Sequence, residues 1–248
     1  MPTLRTVLGW MADLAYPSAC VHCNAFCDGS GPLCSACDAR LHELASAAAC
    51  DRCAMPVPLP GAPCPRCLGK GLRPYERVGR LCVYDDPLRS VVKQFKYHRR
   101  WPLGEWLTDR LLEQPRTQSL LEEIDLIVPV PLHRKRHFLR GYNQARVIAA
   151  RIGKTTGKKL IEPLKRTRNT EQQTSLTQKD RHTNVRDAFA LLEGKEIKGK
   201  RILVVDDVLT TGATLGAVGR TLLSGEPAAL CGMVLGVADP RKRDFLSI

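Results

Sequence analysis

The 248-residue chain carries 38 Lys and Arg against 25 Asp and Glu, a formal net charge of +13, and is 44% hydrophobic. That length and apolar content supply the core of one ordinary domain plus a small appendage, which excludes an unfolded polar chain, and no stretch approaches the ~20 apolar residues of a membrane span. The positive balance predicts a surface that attracts polyanions such as nucleic acid, nucleotides or pyrophosphate, while only 5 Phe, 3 Trp and 5 Tyr, several of them needed for the core, weaken the case for a base-stacking platform for single strands.

Val7 to Tyr16 is largely apolar and follows Arg5. Asp13 interrupts the run, no clear small-residue cleavage site follows, and the segment leads directly into "CVHC". It is therefore read as a short amphipathic helix rather than an export signal, and the protein is expected in the cytoplasm. Nine of the 11 cysteines then precede residue 70, and eight form an internal repeat. Cys20-x2-Cys23-x10-Cys34-x2-Cys37 recurs as Cys50-x2-Cys53-x10-Cys64-x2-Cys67. Each two-residue gap lets a tight turn aim both thiolates at one cation, and two such knuckles make the tetrahedral four-thiolate set that zinc prefers.

A disulfide framework and an iron–sulfur cluster compete with zinc. The first suits a secreted chain rather than one with the pattern of a reducing-compartment enzyme, and the second favours more closely clustered cysteines. Four knuckles allow three pairings; consecutive pairs are expected, and an interleaved arrangement stays open. Four thiolates leave no open coordination position, so the two expected Zn²⁺ ions are structural, and their binding would fold a segment poor in large apolar residues. Cys27, Cys82 and Cys231 read as buried small hydrophobes, and His22 and His42 as surface residues.

After Cys67 the stretch "LGKGLRP" reads as a linker, dividing residues 1–70 from 71–248. The two parts are expected to have separate cores. Residues 77–84 read as a strand and 87–97 as a helix carrying Lys93 and Lys96, three apart and expected on one face. A further helix is predicted near 103–112, a buried strand over 124–132, and a glycine-stopped helix over 141–157. Strands are predicted at 160–165, 188–192, 201–205 and 228–237, with a helix over 213–223. This alternation predicts an α/β domain with a mainly parallel, doubly wound sheet that binds its ligand at the carboxyl ends of strands.

One such end is "RILVVDDVLTTGAT", residues 201–214. An apolar run feeds Asp206 and Asp207, and the amides of Thr210, Thr211, Gly212, Ala213 and Thr214 fall where a helix N-terminus holds phosphate. Carboxylates beside an anion cradle suit a sugar phosphate: the acids accept hydrogen bonds from vicinal hydroxyls while the amides take the phosphate.

The stretch resembles the 5-phosphoribosyl-1-pyrophosphate (PRPP) motif of type I phosphoribosyltransferases, with one extra threonine before Thr-Gly. "VVKQFKYHRRWPLGEWL", "VPVPLHRKRHFLRGYNQA" and "RTRNTEQQTSLTQKDRHTNVRDAF" are similar to characteristic segments of the ComF family, and the cysteine region to the double zinc ribbon of its longer members. The resemblance implies a type I phosphoribosyltransferase fold, a parallel sheet with a hood and a mobile loop, beside an N-terminal zinc-ribbon domain. It implies Asp206 and Asp207 as catalytic residues on the ribose hydroxyls and Thr210 to Thr214 on the 5-phosphate.

It also implies a pyrophosphate loop at Leu132, His133, Arg134 and Lys135, and a flexible loop carrying Arg168, Thr170 and Gln173. Asn143 and Gln144 fit a structural or a functional role equally. The implied chemistry displaces pyrophosphate from ribose C1, with Mg²⁺ accompanying PRPP and held mostly by substrate oxygens. The acceptor is unassigned. A non-catalytic PRPP- or DNA-binding regulator is the alternative, and single-stranded DNA and DNA-uptake proteins are the implied partners.

Overall fold

The apolar runs read as strands pair into one sheet in the computed structural model, which describes residues 19–27, 31–97, 100–132, 140–167, 188–193 and 196–239. In chain order the elements are α1 (Ser35–Ser46), β1 (Arg77–Val83), α2 (Leu88–Tyr97), α3 (Trp101–Leu112), α4 (Pro115–Glu122), β2 (Leu126–Pro129) and α5 (Gln144–Thr156). There follow β3 (Lys159–Leu160), β4 (Leu164–Arg166), β5 (Phe189–Leu191), β6 (Arg201–Leu209), α6 (Ala213–Leu223) and β7 (Ala229–Val237). Five strands form a parallel sheet in the order β1-β7-β6-β2-β3. The chain leaves β2 toward β3 on one side and β6 toward β7 on the other, so the strand order switches between β2 and β6. Crevices at such switch points are where open α/β sheets bind ligands.

Several boundaries differ from expectation. The strand expected over 160–165 divides around Pro163, which has no N–H for a ladder; β3 stays in the main sheet, while β4 pairs antiparallel with β5 outside it. β2 is shorter than the 124–132 run, although Val130 N still donates to Val205 O at 2.9 Å. β6 continues past residue 205 to Leu209 because β7 accompanies it, Leu209 opposite Val237. The apolar segment 7–16 lies outside the described residues.

Alternation along β6 divides the core into two layers. Leu203 and Val205 join α2, α3, α4 and α5 on one face, while Ile202 and Val204 join α6 and the β4–β5 pair on the other. The expectation of separate ribbon and enzyme cores is corrected here. Cys20, Leu33, Cys34, Leu41 and Leu44 of the first cysteine repeat belong to the first layer, and Cys53, Met55, Val57, Cys64 and Cys67 of the second repeat belong to the other. The two repeats straddle edge strand β1, one on each face of the sheet.

The physical reason is that neither repeat has enough large apolar side chains to close a core alone, so each borrows a face of the sheet. Arg80 of β1, 7% exposed, ties them together: its guanidinium donates to Ala54 O at 2.7 Å and Ala47 O at 2.9 Å. Val78 N donates to Arg52 O at 3.0 Å, so the second repeat also hydrogen-bonds to the sheet edge. Arg110 on Asp38, half-buried, and Arg116 on Asp51, exposed, add contacts between the helices and the repeats.

Candidate active site

The eight knuckle cysteines gather as two consecutive tetrads, Cys20, Cys23, Cys34, Cys37 and Cys50, Cys53, Cys64, Cys67, each with its sulfurs within 4.8 Å of one another. A zinc ion with Zn–S bonds of about 2.3 Å sets tetrahedral S–S edges of about 3.8 Å. The Sγ–Sγ separations are 3.6 Å for Cys23–Cys34 and Cys23–Cys37, 3.7 Å for Cys50–Cys67 and 3.6 Å for Cys53–Cys64. The donor set and its spacing fit zinc. All 11 cysteines are free thiols, and these separations are tetrahedral edges rather than S–S bonds of about 2.05 Å.

Burial raises the Cys20 thiol, but hydrogen bonds from the backbone at Cys23, Cys34 and His22 outweigh it and bring it down to about 6. Burial likewise opposes, and bonds from Gly71, Cys50, Cys64 and Gly69 outweigh, at Cys67, which is lowered to about 7. One sulfur in each tetrad is thus predisposed to be a thiolate. Cys27, Cys82 and Cys231 are buried outside the tetrads; His22 and His42 are exposed, His22 meeting Ser90 Oγ at 2.9 Å.

Asp206 and Asp207 lie in the second half of β6, just past the last rung it shares with β2 and beside the switch point. Successive strand residues point to opposite faces, so the pair is divided between the layers. Asp207 lies on the α2 side, where Lys96 Nζ approaches its Oδ1 at 3.1 Å with both side chains largely buried, 12% and 15% exposed. Asp206 lies on the α6 side. Burial first, then the neighbouring Asp207, pushes its carboxyl up to about 7, against the Asp207 N–H that it accepts at 2.9 Å and the charges of Lys96 and Arg166.

By sequence, Lys93 and Lys96 could both point at the anion or both be solvated; the structure splits them, with Lys93 exposed and Lys96 at the site. Helix α2 buries Leu88, Val91, Val92 and Phe95. At about 100° per residue, Lys96 lies about 90° from the centre of that stripe and Lys93 about 150°, on the solvent side.

Beyond the acids, Thr210 and Thr211 are half-buried, and Gly212 caps α6 in the left-handed region at φ 84°. Ala213 N donates to Thr211 Oγ1 at 3.3 Å, and the amides of the next residues begin the helix without carbonyls a turn before them. A Cβ on Gly212 would stand 2.7 Å from Leu72 Cδ1, and one on Gly219 would stand 2.6 Å from Pro74 Cδ. The linker therefore packs on the turn and on the helix behind it. Tyr75 Oη donates to Leu215 O at 2.7 Å and completes the buttress. Burial, then Asp206, raises the Tyr75 phenol well above its ordinary range, so it stays a donor.

Leu132 is half-buried just after β2, at the same end of the sheet. His133, Arg134, Lys135, Arg168, Thr170 and Gln173 lie outside the described residues. Asn143 takes the structural role: its Oδ1 caps α5 by accepting from Ala145 N at 3.1 Å, and its Nδ2 donates to Val130 O at 3.0 Å. Leu72, Tyr75 and Arg166 were missed in sequence. Leu72 sits in the stretch that reads as a spacer and Tyr75 directly follows it, while Arg166 is one of several basic residues in its neighbourhood, with nothing local to single it out.

Among known families, the Phosphoribosyl transferase domain matches residues 140–245 and the Double zinc ribbon domain residues 11–68. The chain is 31% identical over 222 residues to the DNA utilization protein YhgH of Escherichia coli K12, covering 88% of this chain and 96% of that one. It is 30% identical over 210 residues to Competence protein F of Haemophilus influenzae, covering 82% and 90%. An adenine phosphoribosyltransferase structure from Thermoanaerobacter pseudethanolicus aligns at 14% identity and a TM-score of 0.33, over 60% of this chain and 84% of that one. A parallel sheet with acids at its switch point, two clipped cysteine tetrads and near full-length similarity to these relatives make one consistent set, and the chain belongs to the ComF family of double-zinc-ribbon proteins with a phosphoribosyltransferase domain.

Proposed function

We propose that the protein binds PRPP at the carboxyl end of β6 and transfers its phosphoribosyl group with release of pyrophosphate, in the service of single-stranded DNA handling during uptake. The observation that carries this reading is the juxtaposition of Asp206 and Asp207 with the Gly212 turn, whose following amides open the α6 helix. The turn takes the 5-phosphate on Thr210 to Thr214, and the acids accept the ribose hydroxyls. Leu132 and the loop through His133, Arg134 and Lys135 take the pyrophosphate, and the segment with Arg168, Thr170 and Gln173 covers the site.

As the C1–O bond to pyrophosphate lengthens, positive charge grows on the ribose ring, and the acids stabilise it in place. Near neutral pH Asp206 holds a proton part of the time, which suits it to take one from an acceptor nitrogen. Among the described residues the acids have no third carboxylate or histidine completing a metal cage, a donor set that fits Mg²⁺ carried by PRPP, where it neutralises the leaving diphosphate.

A second reading, PRPP binding without turnover, is favoured by one observation: Asp207 is already engaged by Lys96. Calorimetry with PRPP and Mg²⁺, followed by pyrophosphate release against a panel of bases and amines, separates the two. Heat of binding without pyrophosphate selects the regulator, and no heat at all refutes both.

A further inference from the structure

Two of the most exposed large side chains among the described residues stand at one junction. Tyr97, 61% exposed, ends α2, and Trp101, 52% exposed, begins α3. Between the start of α3 and the first turns of α5 lies a cleft of about 750 Å³ whose lining includes Trp101, Tyr142, Arg146 and Glu105. Arg140, one residue before the cleft wall at Gly141, lays its guanidinium 5.1 Å from the centroid of the Tyr97 ring. Arg100 is exposed directly before Trp101, and Arg146 is exposed on the α5 side. Arg146 also pairs with Glu162 at 2.8 Å, a surface pair of the kind that holds a side chain only loosely.

Exposed rings cost apolar contact with water, and each has an Arg beside it in a chain whose net charge of +13 favours a polyanion as the partner. Rings set among guanidinium groups are what successive bases and phosphates of an unpaired strand need: every base has a face to stack, and every phosphate a charge to meet. A duplex hides its base faces and cannot use the rings. The junction also borders the candidate catalytic site, because Lys96, the ion partner of Asp207, immediately precedes Tyr97.

We propose that the α2–α3 junction, together with the cleft beside it, is a binding site for single-stranded DNA, its bases stacking on Trp101 in the cleft and Tyr97 at its border and its phosphates meeting Arg146 in the cleft and Arg100 and Arg140 beside it. The assignment rests on the reading that the protein handles single strands, and it names where. Binding of a labelled oligothymidylate to the full-length, zinc-loaded chain is measured by anisotropy across salt concentrations, with an abasic oligomer as the backbone-only control.

Wild type is expected to prefer the base-bearing strand, and Tyr97→Leu with Trp101→Leu to lose about fivefold to a hundredfold in affinity while keeping the salt slope. The abasic strand should bind wild type and this variant equally. Arg100→Gln with Arg146→Gln should instead flatten the slope, by about 0.7 for each phosphate no longer neutralised. Photocrosslinking with 5-bromouracil is expected at Tyr97 or Trp101. A wild type that binds the strand while the leucine variant binds it as tightly, with crosslinks elsewhere, overturns this site and leaves the single-strand reading intact. No binding by wild type removes both.

Discussion

Asp206→Asn tests the electrostatics of the site through stability. In the unfolded chain the carboxyl ionises near 3.8, and in the fold near 7. Between these values the native state keeps a proton that the unfolded state has lost. Stability therefore falls as pH rises from about 4 to about 7 and is level above. The difference of about 3 pKa units, at 1.36 kcal/mol each, sets a ceiling of about 4 kcal/mol on the cost of the ionised group. The asparagine carbonyl can still accept the Asp207 N–H, and burying the amide offsets roughly 1–2 kcal/mol of the gain.

The variant is thus expected to be more stable than wild type by about 2–3 kcal/mol at pH 8, roughly 4–12 °C in Tm, and less stable than it by about 1–2 kcal/mol at pH 4, where only the cost of burying the amide remains. Urea and thermal melts at both pH values, without PRPP, measure this. Asp207→Asn is the internal contrast: it leaves the largely buried Lys96 without its anion and should destabilise by about 1–3 kcal/mol at pH 8. An Asp206→Asn protein no more stable than wild type at pH 8, or a difference that ignores pH, refutes the reasoning.

The double variant Asp206→Asn, Asp207→Asn should lose about ten- to a hundredfold in pyrophosphate release for each charge-assisted hydrogen bond removed, more than in PRPP affinity measured by calorimetry, while its DNA affinity by anisotropy stays or rises slightly. Elemental analysis should find about two zinc ions per chain; because both tetrads share cores with the sheet, chelation should lower one cooperative melt of the whole chain rather than melt the ribbons alone. Gly212→Ala should weaken PRPP binding through both its φ of 84° and the Leu72 contact, and adding Leu72→Ala should recover only the steric part in a double-mutant cycle followed by calorimetry. Arg80→Met should cost about 2–4 kcal/mol in urea melts, since it leaves the carbonyls of Ala47 and Ala54 unpaired in the interior.

Those outcomes bear on features with unequal visibility in the sequence. Repeat spacing and the hydrophobic run before Asp206 are local patterns, so the consecutive tetrads and the strand-turn-helix at 201–223 could be read directly. The parallel sheet followed from alternation of runs. What periodicity could not carry was relation between segments. Helix α1 hides between cysteine knuckles with only Leu41 and Leu44 buried, a pattern too thin to announce a helix. The division of Lys93 from Lys96 depends on which neighbour covers α2. Leu72 and Tyr75 read as spacer because their role is defined by Gly212 and Leu215, well over a hundred residues later. The shared core is invisible for the same reason: the ribbon sequence says that it is poor in apolar side chains, and not where it finds others.

The hydrogen bond from Val78 N to Arg52 O has a wider consequence. Strand β1 ends the sheet, and its sequence RVGRLCV is free of proline and apolar but for Arg77 and Arg80, so its unpaired backbone groups need a cover. The second ribbon is its cover, and that cover is held shut by four thiolates. A chain starved of zinc would therefore lose more than a small appendage: with the ribbons sharing its cores the whole sheet loosens, and the uncovered β1 edge becomes a template for self-association. A low-zinc preparation should then reveal itself by light scattering as well as by its lowered melt.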